Sequence, residues 1–241
     1  MKALMIELRK SKRTGVLPAL PAAGLFGAAY ACVSFLVRRD TLLSLPLPPM
    51  DILLTQLYGM LVVLNLFGIV VAACMAFHLE FQGGAIRKMY LLPVSVPGMY
   101  LRKFLILTVL LSAAVALENL ALMEIGRSAL PRGTFEPETL LRFAAYSFLT
   151  SMPVLSFMLL AASRSEHLWV PLGAGVAGFL SGMALAPSDA PVLLAHPFIV
   201  MLRPAVAMSA RPEPLVVLSA LAWTFLFLGI GLWAAGTFRY E

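Results

Sequence analysis

The chain has 241 residues, 61% of them hydrophobic and 12% charged, and its mean hydropathy is +0.91. This excludes an ordinary soluble domain, which is nearer half apolar and cannot hide so much apolar surface at this length; it also excludes disorder, which goes with few apolar residues and many charges. The net charge of +6 then points to membrane orientation, because cytoplasmic loops collect Lys and Arg, and not to nucleic acid.

Residues 1–14, MKALMIELRKSKRT, are too charged to cross a bilayer. Met1, Leu4, Met5 and Leu8 follow the i, i+3, i+4, i+7 spacing of one helical face. Lys2, Arg9, Lys10, Lys12 and Arg13 are left to meet anionic lipid. The expectation is an amphipathic interfacial helix on the inner leaflet.

A helix needs about 20 apolar residues to cross the hydrocarbon layer. Six stretches qualify, at about 15–37, 52–77, 104–125, 140–162, 168–186 and 215–237. An all-α membrane protein with one transmembrane domain over residues 1–241 is therefore expected. Placing both termini in the cytoplasm puts Lys2, Arg9, Lys10, Lys12, Arg13, Arg87, Lys88, Arg102, Lys103, Arg164 and Arg239 inside, every lysine among them. The outer segments hold Arg38, Arg39, Arg127, Arg132, Arg142, Arg203 and Arg211, matched by acids. The excess is strongest beside the first span, which usually has most influence on topology. Cys32 and Cys74 both lie in apolar runs, so no disulfide framework is expected.

The connection between the second and third spans, HLEFQGGAIRKMYLLPVSVPGMYLRK (78–103), is long for a loop in a compact domain and invites a functional explanation. Gly83 and Gly84 end the preceding helix. Residues 85–92 then form a short helix with Arg87 and Lys88 on one side and Ile86, Tyr90 and Leu91 on another. Pro93 stops it, and Pro97 keeps the residues that follow extended.

Within the third span, Glu118 and Asn119 interrupt the apolar run. An ionisable group at membrane depth is costly and marks a functional or paired site; Arg142, at the same level on the next span, is its expected ion-pair partner, with a wet outer vestibule as the alternative. The fourth span carries Tyr146, Ser147, Thr150, Ser151, Pro153 and Ser156, hydroxyls suited to bundle packing. Gly175, Gly178 and Gly182 permit close approach of another helix, of this chain or of a partner subunit, to the fifth span. Residues 187–214 contain Pro191, Pro197 and Pro204, and read as surface helices or a re-entrant hairpin, not a seventh span.

No enzyme constellation is present. His78, His167 and His196 lack metal spacing, HExxH and GxSxG are missing, and so is the GxxxxGK[ST] phosphate loop. No metal or cofactor is expected on this chain.

Glu80, Gly83 and Gly84, the basic pair Arg87 and Lys88, the run Leu91, Leu92, Pro93, Val94 and Ser95, and Lys103 together resemble the permeases of type-2 ABC exporters. The basic entry helix and the six-span layout fit that family too, although Val96 stands where a basic residue often follows the Pro-Val-Ser. The resemblance implies that residues 80–93 include a coupling helix seated in the cleft of a separate ABC ATPase subunit, which would hold the ATP and Mg. The N-terminal phrase ELRKSKRTG and the small size are most similar to lantibiotic (bacteriocin) immunity permeases. That implies a second permease subunit and an amphipathic antimicrobial peptide as substrate. The alternatives are an ion-coupled carrier using Glu118 and a membrane sensor or scaffold.

Overall fold

The computed structural model describes Glu7 and residues 15–81, 95–131, 133–188, 190–207 and 209–237, with the side chain of Leu79 left aside. Among these residues the fold is all helical. Helix α1 spans Val16–Leu43, α2 Tyr58–Phe81, α3 Val96–Ala129, α4 Pro137–Ser163 and α5 Trp169–Leu185. A 3₁₀ turn at Pro191–Ala195 leads into α6, Pro197–Val206, and α7 spans Pro214–Thr237. Before α2 the chain makes one turn at Pro49–Asp51 and a π-helical turn at Ile52–Gln56. The long helices alternate in direction, so the bundle has two ends. The end bearing Gly15, Phe81 and Ser95 is called the base, and the opposite end the crown.

Five helical stretches are long and apolar enough to cross a membrane: Val16–Leu43, Pro49–His78, Val96–Ala129, Pro137–Ser163 and Pro214–Thr237. They match five of the six expected spans. The other, α5, has 17 residues, or about 26 Å at 1.5 Å per residue, short of a hydrocarbon layer of about 30 Å. The helices outrun several expected boundaries, and the largest difference is at α3, which begins at Val96 and not near residue 104. Pro97 does not hold the chain extended there. It occupies the first helical turn, where a missing N–H costs nothing and a fixed φ suits the helix. The extended residue is Ser95 (φ −74°, ψ 124°). At the other entry, Gly15 sits at φ +72° before α1, a left-handed conformation that only glycine adopts cheaply.

Within the segment 191–206, the 3₁₀ turn has no buried residue, whereas α6 is packed inside the bundle and does not lie on its surface. In α6, Phe198, Ile199, Val200, Met201 and Leu202 are all almost fully buried, packed against α4, α2 and α5. An aromatic chain joins it to its neighbours. Phe198 meets Phe157 of α4 at 5.8 Å, Phe157 meets Phe227 of α7 at 5.3 Å, and Trp223 stacks on Phe227 at 5.1 Å. The Trp223 indole N–H donates to the Leu194 carbonyl, 3.0 Å away. This is the glycine partner that the sequence did not identify. A Cβ on Gly178 would lie 2.3 Å from the Phe198 ring, and one on Gly182 3.1 Å from Phe198 Cβ, so the Gly178–Gly182 face is filled within this chain. Gly175 packs instead on Val70 of α2.

Gly178→Ala is accordingly expected to lower the thermal midpoint. Overpacking at a buried, ring-locked contact costs about 1–3 kcal/mol and outweighs the roughly 1 kcal/mol gained in helix propensity. Gly173→Ala on the same helix, where an added Cβ meets nothing within 4 Å, serves as the control and is expected to hold or raise the midpoint.

Candidate functional site

The base is organised around Lys103. Its ammonium donates to the Ala76 carbonyl at 2.8 Å and to Glu80 Oε1 at 3.0 Å, and Glu7 Oε2 lies 3.7 Å away. Glu80, Lys103 and Glu7 are all buried. Burial of charges is tolerated only with pairing and hydrogen bonds of this kind. The Lys103 nitrogen also lies 5.5 Å from the centre of the Phe77 ring, within cation–π range.

Local sequence explains the meeting. Glu80 follows Ala76 by four residues and Phe77 by three, the spacings that make neighbours on the last turns of α2. Tyr100 and Lys103, three residues apart, share a face at the start of α3. The Phe77 and Tyr100 rings lie 6.0 Å apart. Tyr100 in turn packs on α7, where a Cβ on Gly231 would come within 2.2 Å of its hydroxyl. The two helices that flank residues 82–94 are therefore bonded to each other and pressed against a third.

Of the sequence-predicted site residues, Glu80 stands in this cluster. Gly83, Gly84, Arg87, Lys88, Leu91, Leu92 and Pro93 lie outside the described residues. So do Lys2, Arg9, Lys10, Lys12 and Arg13. Glu7 was not singled out from the sequence, and Lys103 was noted only as a basic residue closing the motif. The available signal was a lone acid at the end of one span and a lysine at the start of the next.

The structure does not bring Glu118 and Arg142 together. Arg142 forms an exposed i, i+4 pair with Glu138, the pairing that helical spacing favours on one surface. Glu118 points into the bundle, 1% exposed, and accepts a hydrogen bond from Asn65 Nδ2 of α2 at 2.8 Å. Its neighbour Asn119 donates locally to the Val115 carbonyl at 2.8 Å. In α4, Ser147, Thr150, Ser151 and Ser156 are buried and bond back to carbonyls three or four residues earlier in the same helix.

At the crown the three connections meet around a cavity of about 840 Å³ lined by Pro49, Asp51, Glu136, Arg142, Ala210 and Arg211 among others. Asp51 Oδ1 accepts the Ala210 N–H at 2.8 Å, and the Glu136 N–H approaches Met50 Sδ at 3.5 Å. A second, apolar groove of about 630 Å³ runs between the 3₁₀ turn and α7, with Val192, Leu194, Trp223 and Leu226 on its walls.

Among the described residues, then, the apolar helix bundle carries a buried ionic tie at its base and an open polar cavity at its crown. The family model described as ABC-2 family transporter protein matches residues 3–182 of the chain. No curated protein and no solved structure matches it.

Proposed function

Because the chain belongs to the ABC-2 family of transporter proteins, a multi-pass membrane subunit of an ABC transporter, we propose that it is the permease of an exporter that removes an amphipathic antimicrobial peptide from the membrane. The family match carries the class. The geometry of the base supports the mode of action. In this reading residues 80–93 dock in the cleft of a separate ATPase subunit, which holds ATP and Mg. Closure of that subunit pulls on the 82–94 segment. Lys103 and Glu80, which bond the two flanking helices, make α2 and α3 move as one body, and Tyr100 against Gly231 passes the movement to α7.

The substrate class is supported by the crown. An amphipathic peptide presents charges on one face and apolar side chains on the other, and the bundle offers a charged cavity at the crown and an apolar groove along α7. Lantibiotic self-protection fits such a substrate. Six spans with both termini cytoplasmic remain the topology that places the 82–94 segment, Lys2 and the other N-terminal basic residues on the ATPase side. In that topology α5 is the remaining crossing, and the 3₁₀ turn and α6 leave from and return to the crown side. A second permease subunit completes the pathway.

Affinity isolation of the chain from its native membranes in mild detergent tests this. The expected result is an ABC ATPase in stoichiometric amount, together with a second, related permease. Isolation of the chain with no ATPase subunit would overturn the exporter reading in favour of a carrier or scaffold.

A further inference from the structure

Glu118 and Asn65 are each 1% exposed in the middle of an apolar bundle, and between them they leave two acceptors unmet. Asn65 Nδ2 donates to Glu118 Oε2 at 2.8 Å, but Glu118 Oε1 and Asn65 Oδ1 have no hydrogen-bond partner among the described residues. A carboxylate oxygen and an amide oxygen are both acceptors, so no bond can form between them as they stand. A buried acceptor left unmet costs roughly 1–3 kcal/mol, and an isolated carboxylate in a low-dielectric interior costs far more.

Among the described residues no cation stands beside this carboxyl. The ion pairs of Lys103, Arg142 and Arg203 are made with Glu7 and Glu80, Glu138 and Glu213 respectively. From α1 the carboxyl lies against Gly27, where a Cβ would lie 2.5 Å from Oε1. From α2 it faces Asn65, Leu61 and the Tyr58 hydroxyl, which bonds Ser147 of α4, with Tyr146 beyond. These groups are neutral donors or apolar.

One proton resolves the whole arrangement. Placed on the carboxyl, it turns one acceptor into a donor, and an acid and an amide then exchange two hydrogen bonds. We propose that Glu118 and Asn65 form a proton-binding site inside the bundle, loaded while α1 is seated over it at Gly27. The ligand is a proton taken from water. Departure of α1 from Gly27 admits water to the carboxyl and releases the proton, so that proton occupancy and the seating of α1 are linked. The proposal does not depend on the partner ATPase or on the substrate.

The test is infrared spectroscopy of the full chain reconstituted in lipid near neutral pH, comparing wild type with Glu118→Gln. The expected result is a carbonyl band of a protonated carboxyl in wild type that shifts on H/D exchange and is missing in the variant. Gln keeps the size of Glu and offers both donor and acceptor to Asn65, so the variant retains the fold. In parallel, thermal midpoints are followed against pH. A site that holds its proton when folded and loses it when unfolded binds more protons in the native state, so wild-type stability falls as pH rises above the ordinary carboxylate value of about 4.3. Glu118→Gln removes that part of the slope. An identical carbonyl region in the two proteins, or an unchanged pH slope, would overturn the proposal.

Discussion

Lys103→Met is expected to be among the most damaging single substitutions in the chain, costing about 3–5 kcal/mol, the range for breaking a buried ion pair by removing one partner. The loss is large because Glu80, also buried, is left charged beside a vacated position, and because the Ala76 carbonyl loses its donor too. The Lys103 side chain is 7% exposed and that of Glu80 1%, so water cannot replace the missing ammonium. Adding Glu80→Leu and Glu7→Gln to the same chain removes both stranded carboxylates, Glu7 being the second one beside the lysine. The triple variant is expected to recover most of the lost stability, since apolar replacement of a whole buried ion pair or triad is often neutral. The proposed tie between α2 and α3 makes a second, separable forecast. The triple variant regains its thermal midpoint and does not regain coupled ATP turnover, because packing restores the fold without restoring the directional bond. A triple variant with normal turnover would reduce the tie to a structural element.

The fold shows which parts of this molecule are written locally. Five spans could be read from hydropathy because each crosses with about 20 apolar residues of its own, a property needing no partner. The segment after α5 was ambiguous for a physical reason. Pro191, Pro197 and Pro204 interrupt a run that is apolar enough to bury, and whether it lies on the surface or inside depends on a cavity that other helices shape. The glycines of α5 announced a close approach, yet the occupant is Phe198 of the same chain, which spacing alone cannot choose over a second subunit. Pro97 opens a helix where an extended stretch is expected, because a proline that holds a chain extended and a proline that opens a helix look the same in sequence.

The sites divide in the same way. Glu80, Lys103 and Glu118 stood out as residues, because charge in an apolar context is conspicuous. Their partners did not. Asn65 sits 53 positions from Glu118, and Arg142, chosen as the partner by level in the membrane, turned to Glu138 on its own helix. Level along a span is a one-dimensional coordinate. Which face a side chain occupies, and which helix that face meets, comes from packing. Glu7 belongs to the same class: its approach to Lys103 joins the start of the chain to the base, a contact that an amphipathic pattern cannot reveal.

Charge reversal in the 82–94 segment tests the central claim, that this segment hands the work of a separate ATPase to the bundle, most directly. Arg87→Glu with Lys88→Glu replaces both basic groups proposed to face the ATPase cleft, and like-charge juxtaposition at an interface costs several kcal/mol. A cost of about 3 kcal/mol weakens association roughly a hundredfold. The thermal midpoint, followed in parallel, is expected to stay unchanged. The measurement is the amount of ATPase retained on the purified chain, with its ATP turnover, for wild type, the charge-reversed variant and Glu118→Gln side by side. The predicted result is loss of the ATPase from the charge-reversed chain and full retention on Glu118→Gln. Retention of ATPase and turnover by the charge-reversed chain, with loss in Glu118→Gln, would contradict the coupling account and place the driving force at the intramembrane acid.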